Sequence, residues 1–258
     1  DIFNPGGNRA IISTTTFFLD YGIADRFTVS LMVPYVNKDQ TTNRFGERVA
    51  EGIGDVAVFG RYEALVPTAG IGPSLSLGLG LKFPTGSIEE PGGGVPRLPP
   101  AFQVGSGAYD LLPNLSYFQT FSKLSLFGSV LVRIPLESNE VGYRFGAERE
   151  IHFGTIVSLP VWNRRLQLTF SLDYLDAEHD EDGNTFLPVR LRDGTKVLNT
   201  GGQFLDFTPG LRLTVSDAFT LHARFFIPVS EDWNGLASRN VGQVAPDLTT
   251  QLTLSINF

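Results

Sequence analysis

Apolar and polar residues alternate, position by position, in segments that recur along the whole chain. Between 252 and 258, leucine, isoleucine or phenylalanine occupies every even position and a polar residue every odd one. Because successive side chains of a strand point to opposite faces, this pattern predicts strands with one apolar and one polar face. We predict about eleven such strands and no helix, since the 3.6-residue period is missing. They cover residues 8–21, 26–37, 54–66, 72–84, 106–121, 124–136, 144–161, 165–176, 203–215, 219–230 and 246–258.

The connections between these segments alternate strictly between short and long. Short ones are 22–25, 67–71, 122–123, 162–164 and 216–218, and long ones are 37–52, 85–105, 137–142, 177–202 and 231–244. Outer-membrane barrels have short periplasmic turns and long outer loops, whereas a soluble sandwich has no reason to sort loops this way. The pattern therefore predicts an all-β, transmembrane, antiparallel up-and-down barrel. Loops 85–105 and 177–202 should lie at one end, opposite Phe258, and Arg192–Gly194 should turn a hairpin.

Closure of the barrel follows from counting. The first and last predicted strands run in the same direction, yet single-chain bacterial barrels have even strand numbers and no open edge in lipid. We expect residues 1–258 to form one barrel domain of about twelve strands when complete. The remaining strand would precede Asp1, with Asp1–Gly7 as the remnant of an outer loop. Direct parallel pairing of the two terminal strands is the alternative.

Aromatic residues gather near both ends of the apolar faces. Those near the short turns are Tyr21, Phe27, Tyr62, Tyr117 and Trp162, and those toward the loops are Tyr35, Phe83, Tyr109, Phe145 and Tyr174. Two aromatic girdles are expected where a barrel meets the two membrane interfaces.

Composition narrows the function classes. No apolar run reaches the 18 residues of a transmembrane helix, and the mean hydropathy of +0.03 decides nothing by itself. The absence of cysteine excludes disulfides and thiol chemistry, and the net charge of −7 disfavours nucleic acid as a partner.

Six stretches resemble a known family. They are YGIADRFTVSLMVPYV (21–36), EGIGDVAVFGRYEAL (51–65), LGLGLKFPTGS (77–87), GSGAYDLLPNLSYFQ (105–119), YRFGAERE (143–150) and FTPGLRLTVSDAFTLHARFFIPV (207–229). They are similar to the outer-membrane barrels associated with the meta-cleavage pathway of phenol degradation, which are regarded as transporters. The resemblance covers nearly all of the chain and implies an outer-membrane barrel. In that family a further strand precedes the one that contains Tyr21.

The polar parity of the predicted strands places charges of both signs inside the barrel. The candidates are Lys82, Asp110, Arg133, Glu148, Glu150, His152, Arg212, His222 and Arg224. They would form either a charged constriction that selects solutes or a structural ladder of cross-strand ion pairs. The ladder is favoured because small barrels fill their interiors with side chains. Lys82, Asp110 and Arg133 should all point inward, with Asp110 within ion-pair reach of at least one of the other two.

Catalytic and metal sites are weakly indicated. Glu150 and His152 share a face, but no third ligand stands at a recognisable spacing, so we predict neither metal nor cofactor. The acidic run 176–184 lacks a calcium-loop pattern and is typical of a solvated loop, bridged by ions to lipopolysaccharide. A lipid hydrolase needs an outward-facing Ser–His pair, and His222 faces inward, so we predict no enzyme.

The sequence thus predicts an outer-membrane channel or passive transporter for small molecules. Aromatic or hydrophobic solutes are suggested by the family resemblance and by Phe18, Phe59, Phe118 and Phe226 at lumen or loop positions. The alternative is a plugged structural barrel that sheathes or supports a partner. The predicted surroundings are outer-membrane lipid, lipopolysaccharide and small solutes.

Overall fold

The computed structural model describes residues 9–42, 46–67, 72–92, 97–161, 165–183, 192–234 and 248–256. Asp1–Gly7, Trp162 and Phe258 lie outside the described residues. The strands are β1 (Arg9–Ala24), β2 (Phe27–Thr42), β3 (Gly46–Ile53), β4 (Ala57–Leu65), β5 (Gly72–Lys82), β6 (Asp110–Phe121), β7 (Leu124–Pro135), β8 (Tyr143–Arg144), β9 (Glu148–Ser158), β10 (Leu166–Ala177), β11 (Glu181–Asp182), β12 (Arg192–Asp193), β13 (Lys196–Val197), β14 (Gly202–Thr214), β15 (Phe219–Trp233) and β16 (Thr249–Ile256). A short 3-10 helix spans Pro100–Phe102.

Most strands form one strongly curled antiparallel sheet in the order β1-β2-β4-β5-β6-β7-β9-β10-β14-β15-β16. Every strand in this order pairs with its neighbours along the chain, which confirms the predicted up-and-down arrangement. In the part of the chain that the structure describes, no ladder joins β1 to β16, so the direct parallel pairing is absent there. The strand expected before Asp1 stays a prediction.

The two faces of the sheet differ as the alternation predicts. Leu77, Leu172 and Leu252 lie on the outer face and are exposed, whereas Ser76 and Asp173 lie on the inner face and are buried. An extensive exposed apolar face is costly in water but favourable in hydrocarbon, and each strand between β1 and β16 in this order is paired with a neighbour on both sides. The outer face therefore has the character of a lipid-facing surface. Across the described ranges, no helix combines the length and apolarity needed to cross a bilayer.

The predicted girdles hold for five tyrosines, while Phe27, Phe83 and Tyr174 are half-buried. Tyr21, Tyr62 and Tyr117 are exposed near the short turns, and Tyr35 and Tyr109 are exposed toward the loops. The girdle position predicted for Phe145 is wrong. It lies in the connection between β8 and β9, where its ring packs edge-on against the buried ring of Tyr143 at 5.2 Å between centroids. Its odd position continues the parity of β9, but the strand itself begins only at Glu148.

The region 37–52 was predicted as a loop and is instead a hairpin. β2 continues to Thr42, and β3 pairs back onto it from Tyr35↔Ile53 to Thr42↔Gly46. This hairpin extends the wall beyond the point where β4 begins. The sequence there is polar on both faces, so the hydrophobic alternation that reveals a membrane strand is missing.

The long connections meet at one end of the molecule. β8, β11, β13 and β12 form a small four-stranded sheet, and β12 and β13 make the predicted hairpin with Gly194 at a φ of 62°. The Asn139 side-chain amide donates to the backbone oxygen of Ser106 at 3.0 Å, and Gly146 N–H donates to Asp180 at 2.7 Å. These contacts connect three successive long loops, which confirms that 85–105 and 177–202 share an end.

The connection between β5 and β6, residues 83–109 and hereafter the inner loop, turns inward rather than outward. Leu98 and Val104 are buried against Val36 of β2 and Ala50 of β3, on the inner face of the extended hairpin. Its two ends touch at Gly86 and Gly105, where a Cβ on Gly86 would come within 2.7 Å of the Gly105 Cα. Glycine at both positions is therefore required for this close crossing.

Candidate functional site

The inner wall carries a cluster of charges near the loop end, which we call the loop-end cluster. Its members are Asp55, Lys82, Asp110, Arg133 and Glu148. Lys82 Nζ lies 2.6 Å from Asp110 Oδ2 and 3.1 Å from Asp55 Oδ2, while Arg133 Nη1 lies 3.5 Å from Asp110 Oδ2. Arg133 also pairs with Glu148, its Nε donating to Oε2 at 3.0 Å. The inward ion pair predicted for Asp110 is confirmed.

Sheet register explains why these side chains meet. Lys82 is directly opposite Asp110 on neighbouring strands, and Arg133 is directly opposite Glu148. Opposite charges at such positions attract each other and fix the register of the ladder. Asp110 is 1% exposed, so its charge depends on these partners rather than on water.

The inner loop is fastened to this cluster. Asp55 accepts hydrogen bonds from Gly86 N–H at 3.0 Å and from Ser106 N–H at 2.8 Å, and Lys82 Nζ donates to Ser106 Oγ at 2.5 Å. Farther up the wall, Lys38 Nζ donates to the backbone oxygens of Ala101 at 2.9 Å and Gln103 at 2.6 Å. These anchors were not predictable from the sequence, because an irregular loop carries no periodicity that would place it against a wall.

A second group, the mid-wall cluster, follows on the next strands. Its members are Glu150, His152, Ser171, Asp173 and Arg224. His152 Nδ1 lies 2.5 Å from Asp173 Oδ1 and its Nε2 lies 3.4 Å from Glu150 Oε2. Arg224 Nη2 donates to Asp173 Oδ1 at 3.0 Å, and Ser171 Oγ donates to Asp173 Oδ2 at 2.9 Å. Asp173 is thus the common acceptor of the cluster.

Arg224 reaches Asp173 by passing over the intervening strand β14. The residue of β14 opposite Arg224 is Gly210, where an added Cβ would lie 2.4 Å from Thr169 Oγ1 and 3.3 Å from Arg224 Cγ. The missing side chain leaves room for the arginine to lie flat on the wall. His222 uses the same gap, with its Nε2 3.2 Å from Thr169 Oγ1. Such contacts skip a strand, so pairing neighbouring strands in sequence could not reveal them.

Arg212 completes the predicted set and differs from the other cations. It faces His222 directly across the β14–β15 ladder and is half-buried. Among the described residues, no carboxylate lies within ion-pair distance of its guanidinium. Nor does the described part of the chain bring three histidine, aspartate or glutamate side chains together as a metal site.

Comparison with known proteins supports the fold. No protein family model matches this chain, and no curated protein matches it. Among solved structures, it is similar to the COG4313 outer membrane channel from Pseudomonas putida F1, with a TM-score of 0.66. That alignment covers 96% of this chain and 82% of that chain at 11% sequence identity, so the likeness is one of fold. The fold is that of an outer-membrane β-barrel, which confirms the predicted fold class and, with the apolar outer face, the outer-membrane location.

Proposed function

We propose that the chain is an outer-membrane channel that lets small molecules pass along the inner face of its sheet. The observation that carries this proposal is the solvent exposure of aromatic side chains on the inner face. Phe118, on the interior strand β6, points inward and remains 39% exposed. In a plugged barrel, such side chains would be covered by packing, as they are in any filled interior. Lipid and lipopolysaccharide are the proposed surroundings of the outer face.

The proposed solutes are aromatic or moderately hydrophobic. Phe118 and Phe127 are opposite each other on the inner faces of β6 and β7, and Phe226 lies on the inner face of β15. Aromatic rings attract other rings and apolar surface without demanding one orientation. The sequence resemblance to the barrels of the phenol meta-pathway supports the same solute class. The Pseudomonas protein is an outer membrane channel, which agrees with transport in general.

The charged clusters are proposed to shape the passage rather than to catalyse. Ser171, which lies on the inner face of β10 two residues before Asp173, donates its hydroxyl to Asp173. A nucleophilic serine must instead donate to the histidine that activates it. The loop-end cluster fixes the inner loop at one side of the lumen, which narrows the opening there. We therefore propose a charged constriction and no enzymatic activity.

Electrical recording of the purified full chain in a planar bilayer tests the channel. Discrete open events that scale with salt concentration are expected, with denatured protein as the control. Silence from protein that retains its folded, heat-modifiable mobility on gels would contradict the channel and favour the structural barrel. Release of fatty acid from the lipid would contradict the proposed lack of enzymatic activity.

A further inference from the structure

One part of the sheet carries basic and neutral side chains but no acidic ones, and we call it the basic wall. It is the short-turn half of β10, β14, β15 and β16, residues 166–171, 208–214, 219–226 and 249–256. These ranges contain three basic residues, Arg212, His222 and Arg224, and no aspartate or glutamate. By contrast, β1 and β4 carry Asp20 and Glu63 near their short turns. The basic wall therefore attracts anions toward one side of the inner face.

Sheet register places the three basic side chains next to one another. Arg212 is directly opposite His222 across the β14–β15 ladder, and Arg224 is the next residue of β15 on the same face. Directly opposite side chains have their Cβ atoms about 5 Å apart. The His222 ring extends over β14, with its Nε2 3.2 Å from Thr169 Oγ1. Arg212 and His222 therefore present adjacent nitrogen-bearing side chains to the lumen.

The two arginines of the basic wall differ in their partners. Arg224 Nη2 donates to Asp173 Oδ1 at 3.0 Å, and its Nη1 donates to Gln251 Oε1 at 3.3 Å. Arg212 is half-buried, and within the described ranges it makes neither an ion pair nor a hydrogen bond. Its guanidinium has therefore lost part of its hydration without gaining an acceptor from the described protein. An anion from the lumen would supply that acceptor.

We propose that the basic wall binds small carboxylates as they pass, with Arg212 as the principal contact. This inference rests on the proposed channel and adds an anion site to it. The planar guanidinium of Arg212 offers two parallel N–H groups, which match the two oxygens of a carboxylate. Arg224 adds a second positive charge nearby, so a cation is repelled where a carboxylate is attracted. Chloride gains the charge attraction but cannot use the paired geometry.

Saturation of the single-channel conductance measures this binding. The reconstituted full chain is recorded in potassium acetate and in potassium chloride of increasing concentration. Because a filled site limits the anion current, half-saturation should come at a lower concentration in acetate than in chloride. In Arg212→Gln, the half-saturation concentration of acetate should rise about fivefold, the scale of one partly exposed charged contact. Arg212→Lys keeps the charge without the planar fork and should lose the preference for acetate over chloride.

Arg149→Gln is the matched control. Arg149 lies on the outer face of β9, where its guanidinium holds Asp176 at 2.8 Å and Glu178 at 2.6 Å. This variant loses the same charge outside the lumen, so its half-saturation concentrations should equal those of the unaltered chain. Heat-modifiable gel mobility checks that each variant folds. If Arg212→Gln fails to fold, the acetate preference of Arg212→Lys decides alone.

Two results would contradict the carboxylate site while the channel stands. One is equal saturation of acetate and chloride in the unaltered chain. The other is Arg212→Gln or Arg212→Lys behaving like the control Arg149→Gln. If the unaltered chain does not conduct at all, the proposed function is what fails.

Discussion

The loop-end cluster and the mid-wall cluster are built from the same kinds of side chain, but the inner loop covers only one of them. The two members that contact the inner loop, Asp55 and Lys82, have side chains 9% and 12% exposed. Arg133 and Glu148, which do not contact it, are 20% and 31% exposed, close to the 22% and 37% of Arg224 and Glu150 in the mid-wall cluster. Both clusters have a buried aspartate at their centre. The difference lies in what surrounds that aspartate. The inner loop lies beside the aspartate of the loop-end cluster, whereas the mid-wall cluster faces the lumen. The loop-end cluster therefore anchors the inner loop to the wall, and the mid-wall cluster stays open to the lumen.

The largest expected difference between the two clusters is in their contribution to the free energy of unfolding. Asp110→Asn leaves Lys82 and Arg133 without their shared carboxylate beneath the inner loop, which should lower the free energy of unfolding by about 3 kcal/mol. Asp173→Asn should cost about half as much, because Arg224 can turn toward lumen water. Denaturant titration of the folded barrel in detergent, followed by gel mobility, measures both. Equal losses would mean that the inner loop contributes nothing to the difference.

Conductance measurements should show whether anchoring the inner loop to the wall limits the current. Asp55→Ala removes the acceptor of Gly86 and Ser106, so the ends of the inner loop lose three of their hydrogen bonds to the wall. Single-channel conductance should rise about twofold as the constriction relaxes. Glu63→Gln, a lumen-facing carboxylate near the short turns, is the control and should leave the current nearly unchanged. An unaltered current in Asp55→Ala would show that the loop position does not limit flow.

A smaller effect is expected outside the membrane, where Asp180 accepts a hydrogen bond from Tyr143 of the four-stranded loop sheet. Burial raises the pKa of the Asp180 carboxyl, although hydrogen bonds from Tyr143 at 2.5 Å and Gly146 at 2.7 Å oppose the rise. The folded loop therefore favours the protonated acid. This stabilisation is complete below the ordinary pKa of 3.8 and is lost as pH rises through the higher folded value.

Amide hydrogen exchange of the loop sheet, corrected for intrinsic rates, measures this trend. Protection around Gly146 should decline as pH rises from 4 toward neutrality. Asp180→Asn carries no titratable group and should show a flat profile over the same interval. A decline of the same size in the variant would show that a group other than Asp180 causes the effect.

The sequence predicted the structure correctly where one physical rule acted alone. The alternation placed β5, β6 and β7 within a few residues of their ends, and parity with strand adjacency then brought Lys82 to Asp110. It failed where partners are chosen by tertiary packing. The inner loop has no period, and its burial against Val36 depends on the hairpin of β2 and β3, which lacks an apolar face. The contact of Arg224 with Asp173 depends on a glycine in the strand between them.

Inward-facing glycine has a consequence for the bore of the passage. Gly80 lets the Phe59 ring rest where a Cβ would come within 2.4 Å of it, just as Gly210 accommodates Arg224. Adding one methyl group at Gly80 would push the Phe59 ring toward the axis without altering any charge. Width and electrostatic preference are therefore set by different residues of the same wall. In the proposed channel, exchanging glycine for alanine at Gly80 would therefore narrow the passage and leave the charges of the wall unaltered.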